Sequence, residues 1–321
     1  MSLDALANPP DVLASPRFFR VAYLPTYAAA LFLIALVWAG APGQRVRFGD
    51  AWATAKDLGV LEAVLIGLAV VLVAVILQPL QTLLVRVLEG EFPGRLGASA
   101  RQRRHVTLRG RMADRVTAAI TAAAQAAGQP GEQRLVNEAG LASARLRSRY
   151  PAEDAVRATR LGNVLAATAD TAGQEYGLDP IVVWPHLYPL LGDTIRGVVD
   201  DLRDALDGAV RMCAVMALTT VGAAGLLAWR SGWWTLLAAV PMTIAVLSYA
   251  GAVRAAAAYG AGVRAALDLH RFDLRTALHL PLPRNQTAER IANQELCDLL
   301  RQGVPLRGSY EHPPQPDQER P

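Results

Sequence analysis

Residues 212–253 read MCAVMALTTVGAAGLLAWRSGWWTLLAAVPMTIAVLSYAGAV, a run in which Arg230 is the single charged residue. It divides into apolar stretches at 212–229 and 233–253 around Arg230-Ser231-Gly232. Each stretch is about the ~20 residues a helix needs to cross a ~30 Å hydrocarbon layer. A link this short predicts a tight antiparallel hairpin. The same pattern stands upstream, at 21–39 and 58–77, and between the two pairs lie residues rich in Arg, Asp and Glu. The sequence therefore predicts an all-α chain, with four transmembrane helices as two hairpins flanking a helical cytoplasmic domain. The expected division is a cytoplasmic segment at 1–20, a first hairpin with an amphipathic extension at 21–88, and the cytoplasmic domain at 89–208. A second hairpin at 209–253, C-terminal cytoplasmic helices at 254–305 and a proline-rich disordered tail at 306–321 complete it.

Arginine placement orients the spans. Arg17 and Arg20 precede the first, while Arg86, Arg95, Arg101, Arg103 and Arg104 follow the second, and Arg254 and Arg264 follow the fourth. The other side offers Arg45, Arg47, Lys56 and Arg230, partly offset by Asp50 and Asp57. Basic residues near span ends favour the cytoplasm, so both termini and the middle domain are expected there. Trp38, Trp52, Trp229, Trp233 and Trp234 fall at the expected outer ends of spans or in the loops joining them, where indole rings favour the headgroup level. The first run reads as an uncleaved span rather than a signal peptide. No span carries a charge near its centre, which argues against a pump or secondary transporter.

The second span continues past Pro79 with Leu80, Leu83, Leu84, Val87 and Leu88 at helical spacing. Pro79 should kink it and lay this stretch along the inner surface or onto the cytoplasmic domain. Charge in the middle is polarised. Residues 86–149 hold 12 Arg against 5 acidic residues, and residues 150–208 hold 4 Arg against 10. The basic half is suited to anionic lipid headgroups, with Arg86, Arg101, Arg103 and Arg104 as the candidate contacts, or to the domain's own acidic half or a protein partner. Nucleic acid is disfavoured, because no aromatic interleaving or recognition motif accompanies the arginines.

Helices are expected at 101–127, at 132–149 and at 160–176, the third capped by Thr159 and closed by Gly177. Asp179-Pro180 reads as cap and first-turn proline of a short helix. Its neighbours Ile181, Val182, Val183, Trp184, Leu187, Tyr188, Leu190 and Leu191 form the most apolar stretch of the domain, with Trp184 as a core anchor. From Asp193 a helix carries Ile195, Val198, Val199, Leu202 and Leu206 on one stripe and runs unbroken into the third span. That stripe is expected to pack against the extension at 80–88. After the fourth span a helix over 254–280 sets Val263, Leu267, Leu274 and Leu278 on one side. A last helix over 287–302 has Ile291, Leu299 and Leu300 as its apolar residues. Both are expected to join the middle domain as one unit.

Several of these residues carry a resemblance. Thr159-Arg160-Leu161-Gly162-Asn163-Val164-Leu165, then Tyr176-Gly177-Leu178-Asp179 and Val183-Trp184-Pro185-His186-Leu187, resemble a family of uncharacterised bacterial, actinobacterial-type multi-pass membrane proteins. The resemblance extends to residues 83–90 and to Leu280-Pro281-Leu282-Pro283. The family pattern has Tyr-Trp after Glu-Gly where this chain has Glu91-Phe92. It implies a bacterial inner-membrane location and a shared cytoplasmic core, and nothing catalytic.

The candidate ligand or core residues are Asn163, Tyr176, Asp179, Trp184 and His186. A structural role is the simpler account, with Gly162 allowing close helix approach, Asn163 satisfying a loop backbone and Asp179 capping. No metal-binding His pair, serine triad, phosphate loop or dinucleotide turn is present, so neither an enzyme nor a cofactor is indicated. The two cysteines, Cys213 and Cys297, read as small apolar fillers. The leading functional expectation is a membrane-anchored scaffold or interaction module, with a protein partner, a second copy or anionic lipid as its contact. The alternative is a ligand-gated membrane effector or small channel.

Overall fold

The computed structural model describes residues 24–41, 46–62, 64–69, 72, 83, 86–90, 98–228, 232–307 and 310–311. The first 23 residues, Pro79, most of the 80–88 extension, Arg95, the Arg230-Ser231 link and the tail beyond Glu311 lie outside the described residues. Every regular element among the described residues is helical. They are α1 (Leu24–Trp38), α2 (Phe48–Lys56), α3 (Ala98–Gln125), α4 (Glu132–Arg149), α5 (Arg160–Thr171), α6 (Pro180–Leu187), α7 (Asp193–Leu227), α8 (Ala239–Ala277) and α9 (Gln286–Gln302). Residues 60–62 and 64–69 are also helical. The chain divides into two compact units, Met1–Pro93 with Asp204–Ala255 and Gly94–Arg203 with Ala256–Pro321.

Two helices are long and apolar enough to cross a membrane, at Asp193–Leu227 and Gly232–Ala277, where four spans were expected. Of the first expected pair, the described parts are shorter apolar helices, since much of 70–82 lies outside the described residues.

Unit one contains α1, α2, the C-terminal part of α7 and the first part of α8. Leu36, Ala39, Val46, Ala223 and Leu227 form its larger buried cluster, with Trp38 and Trp234 packed against it. Small residues let the helices approach. A Cβ added at Gly222 would stand 3.4 Å from Leu33 Cδ2. The segment after α1 folds back through Arg47 N–H, which donates to Ala39 O at 2.8 Å, and then forms α2 where the sequence suggested only a loop. Phe48 meets Trp234 edge-on at 5.2 Å, and Trp233 stacks on Trp234 at 4.2 Å. Residues 232–238 are 3-10 helix rather than the start of an α-helical span. A second cluster joins Ala29, Val215, Met216 and Ala245.

Unit two begins with the antiparallel pair α3 and α4, turned by Gly128 and Gly131, both at positive φ. Glu132 Oε2 accepts from Gly128 N–H at 2.7 Å and closes the turn. Gly140 lies inside α4 without interrupting it. The pair is tied to the next segment by Gln102 Nε2 donating to Val156 O, Arg109 Nε donating to Pro151 O, and a 3.1 Å bond between His105 and Tyr150. α5 ends at Thr171, earlier than expected. Gly173, in the left-handed region, breaks it before the short 3-10 turn Gln174–Tyr176.

The core of unit two lies under α6, α7, α8 and α9. Val183, Leu187, Leu191, Val199, Val263, Leu267, Leu274 and Leu296 are buried together. The deepest side chains of the apolar segment are Val183 and Leu187, and Trp184 packs on the rim of this core. Val199 faces Val263 and Leu267, and a Cβ on Gly262 would meet Leu202 Cδ1 at 2.9 Å. Within unit two the α7 stripe therefore packs on α8, while most of the extension expected as its partner lies outside the described residues. Val198, counted in the stripe, is 52% exposed. Where α5 meets α8, a Cβ on Gly260 would stand 3.2 Å from Thr168 Cβ, so glycine sets that approach.

Candidate functional site

The sequence-predicted residues divide between two places and two isolated positions. Asn163 is 1% exposed and entirely committed to backbone. Its Oδ1 accepts from Arg157 N–H at 2.8 Å, and its Nδ2 donates to Arg157 O at 2.9 Å and Thr159 O at 2.7 Å. Thr159 Oγ1 accepts from Gly162 N–H as the cap of α5. Both amide protons of Asn163 are thus spent on the loop that enters the helix. His186 is exposed on α6 and is not among the residues that line the Trp184 groove.

Tyr176 and Asp179 come together with α9. Asn293 Nδ2 donates to Tyr176 O at 2.9 Å, and Asp179 N–H donates to Cys297 Sγ at 3.3 Å. Asp179 Oδ1 caps α6 through Ile181 N–H, while Oδ2 pairs with Arg301. Between them Gly177 has φ +75°, and an added Cβ would lie 2.5 Å from Arg290 O. The Tyr-Gly-Leu-Asp turn is therefore a seat into which the backbone of α9 presses. Only glycine offers both that dihedral and that clearance.

A second layer of the seat uses charged groups. Arg271 of α8 lies over the Tyr176 ring, 4.2 Å from its centroid, and bonds Glu289 of α9 at 2.8 Å. One helical turn on, Arg275 Nη1 donates to Asn293 Oδ1 at 3.2 Å, and its Nε and Nη2 donate to Pro281 O. Glu289 and Arg275 are each 5% exposed. Burial pushes the Arg275 pKa below its ordinary value, and Glu289 and Glu295 push it back. Burial also raises the Cys297 thiol, which keeps it a neutral packing group. The buried face of α9 is thus Glu289, Asn293, Leu296 and Cys297, and Ile291, expected inside, is 56% exposed. Sequence reasoning missed Arg275, Glu289 and Asn293. The readable signal was the four-residue spacing of Arg271 with Arg275 and of Glu289 with Asn293, which puts each pair on one helix face.

Trp184 belongs to a groove of about 360 Å3 beside the core, with Tyr188, Val199, Asp200, Arg203 and Tyr259. The rings of Trp184 and Tyr188 stand 6.0 Å apart. Tyr188 Oη donates to Asp200 Oδ1 at 2.7 Å, and that bond, helped by burial, raises the phenol's pKa. The groove thus offers an aromatic wall and one anchored carboxylate, a combination suited to a small ligand with an apolar body. Asp200 is half-buried and holds Tyr188 in place.

Among the candidate headgroup contacts, Arg101, Arg103 and Arg104 are exposed in the first turns of α3, with Arg103 Nε donating to Ser99 O. Arg86 is exposed in unit one. Among the described residues no group of three His, Cys, Asp or Glu side chains is placed to hold a metal ion. Comparisons with family profiles, with curated proteins and with solved structures find no match to this chain.

Proposed function

We propose that the chain is a membrane-anchored helical module whose cytoplasmic unit engages a partner. The observation that carries this reading is the surface of α7 and α8. Each belongs to an apolar stretch long enough to cross a bilayer, and in the one within Gly232–Ala277 only 17% is buried by other parts of the chain. Val221, Leu236, Met242, Val246 and Leu247 stand exposed there. An apolar surface of this extent calls for a lipid or protein cover. Both helices continue without a break into residues of the unit-two core.

In this reading residues 21–39 and 58–77 supply two further spans, and the arginine bias puts both termini and unit two in the cytoplasm of a bacterial cell. The resemblance carried by Asn163, Tyr176-Gly177-Leu178-Asp179 and Trp184-Pro185 belongs to the same proposal. A scaffold role is favoured over catalysis because Asn163, Tyr176 and Asp179 spend their polar groups on packing. The Trp184 groove, resting on the first turns of α7, favours ligand-gated action as the second reading.

Topology decides the first reading. In a chain freed of Cys213 and Cys297, a cysteine at Thr235 should react with a membrane-impermeant maleimide in intact cells. A cysteine at Arg134 should react only after the cytoplasm is opened. Reversal of the two patterns, or recovery of the chain in the soluble fraction without detergent, would refute the anchor.

A further inference from the structure

Unit two holds another cleft, of about 430 Å3, that shares no residue with the Trp184 groove. Arg145 and Arg147 enter it from α4 and Arg264 from α8. None of the three forms an ion pair with a described residue, although residues 150–208 carry 10 acidic side chains. All three line one concavity, and an oxyanion held there can accept from their forked N–H groups. The rest of the wall adds a second requirement. Ser148 Oγ donates to Arg145 O at 3.2 Å and Thr171 Oγ1 donates to Ala167 O at 2.7 Å. Both hydroxyls therefore face a ligand with lone pairs rather than protons. Glu175 lines the same cleft as a further acceptor, and Gln174 beside it can accept or donate. A bare anion would meet three cations but also these oxygen acceptors. A ligand with hydroxyl donors beside its anionic group satisfies both sets.

We propose that this cleft binds the phosphate ester of a polyol, with the phosphate on Arg145, Arg147 and Arg264 and the hydroxyls toward Glu175, Ser148 and Thr171. The ligand has two possible sources, a soluble polyol phosphate or the headgroup of a phosphoglycerol lipid. The proposal is independent of the anchor reading, since every lining residue belongs to unit two.

The full chain is placed in phosphatidylcholine nanodiscs and titrated with glycerol 3-phosphate by calorimetry. A parallel preparation replaces part of the lipid with phosphatidylglycerol and is followed by its thermal midpoint. Arg145→Gln and Arg264→Gln should each weaken the response roughly 10- to 100-fold. Arg134→Gln, exposed on the same α4 and paired with Glu138, should leave it unchanged. Glycerol 3-phosphate binding assigns a soluble ligand. A response to phosphatidylglycerol alone, lost in the same variants, assigns the lipid. Failure of both probes, equal loss in Arg134→Gln, or equally tight binding of inorganic phosphate overturns the proposal. Should the chain purify without detergent, the soluble arm runs unchanged, so loss of the anchor and loss of the ligand site remain separate results.

Discussion

At the scale of residues, unit two is held by polar groups in places where an apolar contact would be the ordinary choice. Asn293 joins Arg275 to the carbonyl of Tyr176, so one amide serves two elements. Gly177 has no side chain to join and acts by what it lacks. Gly177→Ala must accept a positive φ and displace the Arg290 carbonyl as well. Overpacking of this kind costs ~1–3 kcal/mol, and the dihedral adds to it. Thermal unfolding in lipid should register a lower midpoint for unit two, and an unchanged midpoint would show that α9 does not press on this turn. Capping at this scale is legible in sequence, because Thr159 and Asp179 precede their helices with the right side chains. The end of α5 is not. Gly173 and Gly177 are both suitable stops, and the contact of Gly173 with Leu178, known only from the fold, decides between them.

At the scale of elements, α3 and α4 form an alanine-rich pair in which Ala139 is the one buried residue among those described, and bonds near Tyr150 help to attach it. His105 stands at that junction, held below its ordinary 6.5 by burial and by the charges of Arg104 and Arg160. Its folded pKa is the lower one, so the unfolded state binds the proton more readily. Stability is therefore full above pH 6.5 and falls as the pH drops from there toward the folded value. The hydrogen-exchange protection of α3, corrected for the intrinsic exchange rate at each pH, should fall between neutral and mildly acidic pH, and His105→Gln should flatten that response. An identical pH profile in the variant would remove His105 from the junction. Periodicity made α7 and α8 legible, since Val199, Leu206, Val263, Leu267 and Leu274 repeat at helical spacing and are buried. It misread α9, because charged residues count as solvated until a partner helix is known. Glu289 is inside only because Arg271 is there to meet it.

At the scale of the whole molecule, the two units are discontinuous in sequence, each assembled from an earlier and a later part of the chain. Hydrophobic runs revealed the later apolar pair directly, whereas the pairing of α7 with α8 inside unit two needed the fold. Leu296 and Cys297 complete the unit-two core from the last helix. A chain ending at Asn285 should leave Leu178, Val183 and Leu274 uncovered, and limited proteolysis should then cut within 150–203 where the full chain resists. Equal resistance of both chains would mean that α9 is an accessory. The same dependence has a bearing on biosynthesis. The turn at Tyr176 and its partner Asn293 are 117 positions apart. At ~5–20 residues per second the ribosome needs roughly 6 to 23 seconds to add that length. For that interval the nascent seat has no occupant, and both apolar segments of α7 and α8 emerge during it. Final closure of unit two is thus ordered by translation to follow their synthesis.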